Sequence, residues 1–425
     1  MRRLGLRLLA ALAVTLIAPP AEARDFGSFV EEAARGLVRK SLSPEHWKRV
    51  LTPRRDGELY PVRTADGWTL VAHRYRPSGG ARPGALPVIL CHGLSYNASF
   101  WALEPSSSLA VYLSGLGYDV WAVDLRGCGL SQKWVYQLED APTVLMGGLL
   151  RRATRNKVAP TGFATLDPRY ASWNLDHHVA YDLPALVKLV RHQTGSEQVT
   201  WVGHSMGGIV ALCHLSRYPN PGIGRLVTVG SQVTIPDGQV LVQFLLEMIK
   251  TRQGQLAGAP GGAELLMQSR ASVHNMFFNE HNVSPAVYEV LASSAKDVPS
   301  LGLLQQYMVL GTKGELFDSR KEFNYAEGLG NVRIPILIAG GESDQLAPPL
   351  VQQFLYQNVG SVDKLLMIFG RSQGFAIDSG HNDALVGLGS RPQVYPAIER
   401  WLAGARPRPG GDPDRLAEDG SRDLR

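Results

Sequence analysis

The stretch Val199-Thr200-Trp201-Val202-Gly203-His204-Ser205-Met206-Gly207 decides the fold of this chain. Its first four residues predict a short buried strand, and the apolar residues that follow Gly207 predict a helix. The turn between them reads Gly-x-Ser-x-Gly, which is typical of a sharp strand-to-helix turn. Gly203 and Gly207 let the strand and the helix approach, and the strained turn exposes the hydroxyl of Ser205. We therefore predict that Ser205 is a nucleophile, which requires a base and an acid from elsewhere in the chain.

Short apolar segments alternate with helix-like segments on both sides of this turn. Strands are predicted at 87–91, 118–123, 198–202, 225–229, 334–339 and 364–369, and helices at 106–116, 183–192, 206–217 and 394–402. A hairpin is predicted upstream, with strands at 59–64 and 68–75 around Asp66-Gly67. This alternation predicts an α/β fold with a mostly parallel sheet that helices cover on both faces. In such sheets the ligand lies beyond the carboxyl ends of the strands.

The 425 residues divide into five predicted parts. These parts are a signal peptide at 1–23, an N-terminal helical extension at 24–58, an α/β core at 59–235 and 333–403, a helical cap insertion at 236–332 and a disordered tail at 404–425. The signal peptide combines three arginines, the apolar run 8–18 and the small-x-small site Ala21-Glu22-Ala23. We therefore predict an exported protein, periplasmic or secreted, with cleavage near Ala23.

The charge pattern does not indicate a nucleic-acid or metal partner. The formal net charge is +5 and the chain has no long basic run, so nucleic acid is not an expected partner. The basic cluster at 151–157 is interpreted as a solvated face. The cluster Asp176-His177-His178 lacks a third or fourth metal ligand and is interpreted as a surface feature at a helix entry. No metal or cofactor is therefore expected.

Several other polar residues and thiols receive structural roles. Asp124 is expected to hold its loop to Arg126, and Asp182 is expected to cap the helix predicted at 183–192. The three cysteines cannot all pair within the chain and lack metal-ligand spacing. Cys91 and Cys213 lie in apolar runs and are predicted to be buried, whereas Cys128 lies in a glycine-rich loop and is predicted to be exposed.

The base and the acid should follow strands that come later in the chain, because this kind of turn is expected to use the order serine, acid, histidine. His381 follows the strand predicted at 364–369, and Asp344 follows the strand predicted at 334–339. Both therefore share the sheet edge at which Ser205 lies. The main rival for the acid is Asp237, with Glu342 and Asp378 as weaker candidates. The weaker rivals for the base are His204, His274 and His281.

The oxyanion that forms during acyl transfer needs fixed hydrogen-bond donors. One predicted donor is the backbone N–H of Met206, the residue after the nucleophile. The other is the backbone N–H of Leu94, in the loop that follows the strand predicted at 87–91. His92 and Gly93 support this loop, and the glycine allows its backbone to approach the site.

Taken together, these motifs resemble those of the α/β-hydrolase superfamily over roughly residues 59–402. The matching segments are His92-Gly93, Asp124-Leu125-Arg126-Gly127-Cys128-Gly129, Gly203-His204-Ser205-Met206-Gly207-Gly208, Gly341-Glu342-Ser343-Asp344 and Gly380-His381. The resemblance implies the α/β-hydrolase fold, the triad order and an insertion after the strand at 225–229 that acts as a cap. Within the superfamily, His92-Gly93-Leu94, Trp101, 117–121 and 181–185 look like the acid lipase group. That group usually has glutamine where this chain has Met206.

These observations predict an exported serine hydrolase that cleaves carboxylic esters through an acyl-enzyme, with Ser205, His381 and Asp344 as its catalytic triad. A small-molecule or lipid ester is the expected substrate, with transient contact to a membrane or lipid surface through the cap. Two alternatives on the same fold, an amide-cleaving aminopeptidase and a thioesterase, stay open. An aminopeptidase would use an acidic cap residue; the sequence offers Glu247, Glu264, Glu280 and Glu289. A non-catalytic binding protein typically loses a triad member, which this chain does not.

Overall fold

A computed structural model describes residues 57–104, 107–132, 173–246, 277–294, 297 and 299–405, with the side chains of Glu280, Glu289 and 292–294 left out. The predicted signal peptide, the helical extension up to residue 56, the basic cluster at 151–157 and the tail from 406 onward lie outside the described residues. Within the described ranges, no helix is long and apolar enough to cross a membrane.

The described chain is built on one sheet of eight strands. The strands are β1 (Glu58–Arg63), β2 (Thr69–Tyr75), β3 (Val88–Cys91), β4 (Val120–Asp124), β5 (Val199–His204), β6 (Ile223–Val229), β7 (Ile336–Gly341) and β8 (Lys364–Phe369). Their order across the sheet is β1-β2-β4-β3-β5-β6-β7-β8. The β1–β2 hairpin is antiparallel and β2 is antiparallel to β4, whereas the six strands from β3 to β8 are parallel to one another. The parallel strands are rich in buried Val, Ile and Leu, as a sheet covered on both faces requires.

Helices connect the parallel strands. They are α1 (Leu109–Gly115), α2 (Leu183–Thr194), α3 (Met206–Arg217), α4 (Pro285–Ser294), α5 (Leu301–Lys313), α6 (Pro349–Asn358), α7 (Asp383–Val386) and α8 (Tyr395–Leu402). Single helical turns lie at Ala98–Trp101, Leu175–His177, Glu280–Asn282, Glu327–Asn331 and Arg371–Gln373, and π-helical turns at His178–Asp182 and Ser390–Val394. Residues 239–246 are also helical.

The predicted α/β fold is confirmed, and the differences are helices that were not predicted and shifts at the ends of elements. Helix α6 was missed, since its start at Pro348-Pro349 looks like a loop in sequence. Proline is nevertheless well suited to the first turn of a helix, because the backbone N–H it lacks has no partner there. Strand β7 lies two residues later than predicted, which places Gly340 and Gly341 inside the strand.

The expected pairing of Asp124 with Arg126 is wrong. The Asp124 carboxylate binds His73 Nε2 (2.9 Å) and accepts the backbone N–H groups of Ala98 (2.7 Å) and Leu130 (2.8 Å). Arg126 instead binds Asp66 and Asp182. The two residues are separated by only one position, but the chain leaves β4 between them and carries their side chains to different partners.

Three smaller expectations are also wrong. Asp182 makes no capping hydrogen bond to α2, because its carboxylate is taken up by Arg126 and His178. His178 is buried rather than part of a surface cluster. Cys128 is only 9% exposed, so the glycine-rich loop packs inward; all three cysteines are buried and none of them is in a disulfide.

Candidate active site

Ser205 lies at the junction of β5 and α3 with a left-handed backbone, φ 49° and ψ −118°. A non-glycine residue in this region is strained, and such strain persists only where the surroundings hold it. The backbone N–H of Ser205 donates to the Val229 carbonyl (2.8 Å), and the Ser205 carbonyl accepts the Ser231 hydroxyl (2.9 Å). A side chain at Gly207 would overlap the Cys91 carbonyl. The strand-turn-helix geometry predicted from the motif is therefore present.

His381 and Asp344 meet beyond the ends of β8 and β7. His381 Nδ1 lies 2.8 Å from Asp344 Oδ2, and each residue is 3% exposed. The second oxygen of Asp344 accepts the backbone N–H groups of Leu346 (2.9 Å) and Ala347 (2.8 Å). These two amides fix the carboxylate, so that Oδ2 is left to face the imidazole.

Ser205 and His381 line the same cavity at the carboxyl edge of the sheet. The cavity leaves about 360 Å³ free of protein atoms, counting its opening to solvent. Its lining comprises Gly93, Leu94, Tyr96, His204, Ser205, Gln232, Leu241, Phe244, Phe277, Tyr307, Leu346 and His381. Among the described side chains, none that lines this cavity is a carboxylate. The cavity thus unites a serine, an imidazole backed by an acid, and mostly apolar walls.

The rival acids lie elsewhere. Asp237 is exposed and its carboxylate accepts the backbone N–H of Gln239 (3.0 Å). Glu342 accepts the backbone N–H of Ser372 (3.1 Å), and Asp378 accepts that of Arg371 (2.7 Å). Within the described part of the chain, Asp344 alone pairs with His381. Of the rival bases, His281 is exposed and His274 lies outside the described residues.

The two predicted oxyanion donors flank the serine. Met206 begins α3, whose N-terminus presents free N–H groups and the positive end of the helix dipole. Leu94 follows β3 and lines the cavity. The His92 side chain stabilises this loop by two hydrogen bonds. Its Nδ1 donates to the Gly93 carbonyl (2.9 Å), and its Nε2 accepts the Leu125 N–H (3.3 Å). Burial lowers the pKa of His92, which keeps it in the neutral form that this bonding requires.

His204 has a place in the site that the sequence did not suggest. Its ring stacks on Phe100, with centroids 4.8 Å apart, and Nε2 lies 3.0 Å from the backbone carbonyl of His381. Since a carbonyl can only accept, Nε2 carries the proton. Burial, together with the nearby His381, lowers the pKa of His204 well below its ordinary value. His204 is thus a neutral donor that holds the main chain of the predicted base.

Contacts from the predicted cap region, residues 236–332, were also beyond sequence analysis. The Asp383 carboxylate accepts the N–H of Asn279 (3.0 Å) and Nδ2 of Asn282 (2.7 Å), and the Asn382 N–H donates to the Phe277 carbonyl (2.8 Å). Asn382 Nδ2 also donates to Tyr96 Oη (2.9 Å). The bonds to Phe277, Asn279 and Asn282 tie the segment at 277–282 directly to the loop that carries His381.

A second such tie reaches the loop that carries Leu94. The Asp297 N–H donates to the Ser95 carbonyl (2.8 Å), and Asp297 Oδ2 accepts Asn97 Nδ2 (2.9 Å) and the Gly129 N–H (2.7 Å). Ser95 has a left-handed φ of 67°. The predicted cap region therefore contacts both loops that line the serine.

The residues of the cluster at 176–178 have internal partners. Asp176 accepts hydrogen bonds from Gln306 Nε2 (3.0 Å), Tyr325 Oη (3.0 Å) and the Ser319 N–H (2.7 Å). Nδ1 of His178 lies 2.7 Å from Asp182. In the part of the chain that the structure describes, no group of three or more His, Cys, Asp or Glu could hold a metal ion.

Comparison with known proteins places these features in a wider group. The family described as "alpha/beta hydrolase fold" matches residues 87–384. The chain is similar to lipase member K of Homo sapiens, with 33% identity over 167 residues, which are 38% of this chain and 35% of that protein. It is also similar to gastric triacylglycerol lipase of Mus musculus, with 31% identity over 174 residues, or 40% of this chain and 37% of that protein. The chain thus spans little more than a third of the length of these curated relatives.

Two solved esterase structures share the fold. A thermophilic esterase from Thermogutta terrifontis aligns with a TM-score of 0.52 at 16% identity, covering 82% of this chain and 99% of that one. The esterase EaEST from Exiguobacterium antarcticum aligns with a TM-score of 0.51 at 18% identity, with the same coverages.

Proposed function

Because the chain belongs to the α/β-hydrolase fold family, we propose that it is a serine hydrolase that cleaves carboxylic esters. The observation that supports this most is the convergence of Ser205, held at a left-handed φ, with the His381–Asp344 pair at one cavity. Three loops that are far apart in sequence supply these groups in the order that the fold uses for acyl transfer.

The first half of the reaction forms an acyl-enzyme. His381 Nε2 takes the proton of the Ser205 hydroxyl as Oγ attacks the ester carbonyl carbon. Asp344 keeps the other ring proton on Nδ1 and stabilises the imidazolium. The N–H groups of Leu94 and Met206 receive the oxyanion of the tetrahedral intermediate, and each such donor is worth about 10²–10³-fold in kcat.

The second half frees the enzyme. The imidazolium gives its proton to the leaving alcohol oxygen, and the bond between that oxygen and the carbonyl carbon breaks. A water molecule then repeats the attack on the acyl-serine, again with His381 as the base. The free acid leaves and Ser205 Oγ regains its proton, so no cofactor is consumed.

Lipid or acyl esters are the substrates we propose. Apolar side chains form the wall around the reacting groups, among them Leu241, Phe244 and Phe277. Such a wall suits an acyl chain, and the names of the curated relatives describe lipases. An aminopeptidase would need a carboxylate to bind a free amino terminus, and no described lining side chain provides one.

The proposal is tested with a fluorophosphonate probe and an ester series. The full chain should label and should hydrolyse p-nitrophenyl esters of graded acyl length, in preference to an aminoacyl anilide. Ser205→Ala should lose both labelling and turnover, whereas Ser196→Ala should keep both, because the Ser196 hydroxyl donates to the Gln198 carbonyl and does not line the cavity. Labelling that persists in Ser205→Ala, or a preference for the anilide, would contradict the proposal.

We also propose that the protein is exported after cleavage near Ala23. The basic start, the apolar run and the small-residue site of the first 23 residues support this. N-terminal sequencing of protein recovered from outside the cytoplasm should begin at Arg24. An intact first residue in that fraction would contradict it.

A further inference from the structure

We propose that Gln232 forms a polar subsite in this cavity that accepts a hydrogen bond from a hydroxyl group of the ester substrate. The proposal rests on the proposed function, since it names the class of ester that the same cavity takes. That class is a hydroxylated ester, in contrast to a plain alkyl ester of the same length.

The main chain places Gln232 beside the reacting groups. Gly230 directly follows strand β6. Its backbone lies so close to the predicted acid and base that a Cβ there would lie 3.1 Å from Asp344 Oδ2 and from His381 Nδ1. Ser231 donates its hydroxyl to the Ser205 carbonyl. The next residue, Gln232, lines the cavity and is only 3% exposed. Its position is therefore fixed by the same backbone that frames the triad.

The orientation of the Gln232 amide follows from its single hydrogen bond. Nε2 lies 3.4 Å from the Leu346 carbonyl, and because a carbonyl only accepts, the nitrogen must face it. The amide oxygen Oε1 is then left without a partner among the described residues, although it is buried. A buried acceptor without a donor is unfavourable, so each such group in a folded protein calls for an explanation.

Tyr307 adds a second unpaired polar group to the same cavity. It is 3% exposed and its hydroxyl has no partner in the described part of the chain. Burial raises the pKa of Tyr307 well above its ordinary value, so the phenol stays protonated and can donate. Among the described residues, His204 Nδ1 is a further acceptor of the lining without a partner, on the ring already placed beside His381. Gln232 and Tyr307 thus add a pair to the lining that consists of one free acceptor and one free donor.

A neutral hydroxyl fits this pair, because it both donates and accepts. An ammonium group fits less well, since no described side chain that lines the cavity carries a negative charge. An ester that leaves a polyol or hydroxyalkyl alcohol, and an ester of a hydroxy acid, both present such a hydroxyl near the carbonyl. The experiment separates these two sources.

The test uses matched pairs of esters that differ by one hydroxyl. On the alcohol side, glycerol monobutyrate is compared with propyl butyrate; on the acyl side, p-nitrophenyl 3-hydroxybutyrate is compared with p-nitrophenyl butyrate. In the full-length protein we expect kcat/KM for the hydroxylated member of at least one pair to be about tenfold higher or more, because a site with unpaired polar groups discriminates against a substrate that cannot fill them.

The same ratio is then measured in variants. Gln232→Met keeps the length of the side chain and removes the acceptor, so the ratio should fall towards one; Tyr307→Phe should lower it as well. Gln393→Met is the matched control, because Gln393 Oε1 accepts the Ala376 N–H outside the cavity, and it should keep the full ratio.

The outcomes are distinguishable. A ratio near one in the unaltered protein, for both pairs, overturns the subsite whether or not the variants fold. A high ratio that survives in Gln232→Met, with a melting temperature near that of the parent, also overturns it. If no ester is hydrolysed and the fluorophosphonate does not label Ser205, it is the proposed function itself that has failed.

Discussion

Replacing Asp344 by asparagine should stop turnover without unfolding the protein. In the structure, Asp344 Oδ1 accepts two backbone N–H groups, from Leu346 and Ala347, and Oδ2 faces His381 Nδ1. An asparagine would keep its oxygen towards the two N–H groups, because an NH₂ group there would oppose two donors. Its NH₂ would then face Nδ1 and force that nitrogen to accept.

The size of the effect follows from the tautomer. With Nδ1 as an acceptor, the single ring proton of neutral His381 moves to Nε2. Nε2 then faces the cavity already protonated, so it cannot take the proton of the Ser205 hydroxyl. A change of this kind costs about 10⁴-fold in kcat, which corresponds to about 5 kcal/mol of transition-state stabilisation. Burst-phase hydrolysis of a p-nitrophenyl ester measures it, with circular dichroism to check the fold.

The matched control is Asp237→Asn, at the exposed rival acid, which should leave kcat within twofold. A loss below tenfold in Asp344→Asn, or a large loss in Asp237→Asn, would refute this reasoning about the acid.

Three further predictions concern the framework of the site. Gly207→Ala should lower the free energy of unfolding by about 1–3 kcal/mol, because the added Cβ would overlap the Cys91 carbonyl. Gly115→Ala is the control, because nothing lies within 4 Å of a Cβ at that position. Equal effects of the two changes in urea denaturation would refute the packing argument. Arg126→Met should destabilise the fold by about 3–5 kcal/mol in urea denaturation, because it leaves the buried Asp182 carboxylate without its cation. Arg76→Met, at an exposed pair with Glu58, is the control and should leave the urea midpoint nearly unchanged. The melting temperature should fall as the pH drops below about 6.5, because burial lowers the folded-state pKa of His204 and the unfolded chain binds the proton first. His204→Gln should reduce that slope, with His92, His177 and His214, whose pKa values are also lowered, contributing the rest; an unchanged slope would count against the role of His204.

The sequence was sufficient for the fold and for the placement of Ser205, Asp344 and His381, since all three follow buried strands whose apolar runs are plain. Parallel strands end at one edge, so three positions far apart in the chain were expected to meet there. The Gly-x-Ser-x-Gly motif also predicted a strained backbone at Ser205, and its positive φ is a property of this type of turn.

The sequence failed where the outcome depended on which way a polar side chain turns. Asp124 and Arg126 are separated by a single residue yet bind different partners. The Asp182 carboxylate binds Arg126 and does not cap the helix α2 that follows it. His204 was considered only as a weaker rival for the base, but stacking on Phe100 and a bond to the His381 carbonyl give it a different place in the site. Such contacts join residues from 51 to 177 positions apart, and no local pattern signals them.

The bonds between the segment at 277–282 and the loop that carries His381 make those two pieces one unit for protein engineering. The Asp383 carboxylate holds Asn279 and Asn282, and Gly389 donates its N–H to Asn282 Oδ1. A region at 236–332 exchanged for that of another family member would remove both asparagines and leave the buried carboxylate with fewer donors. A chimera would therefore have to import the loop that carries His381 together with the new insertion, so the region at 236–332 and the predicted base are inherited jointly in this chain.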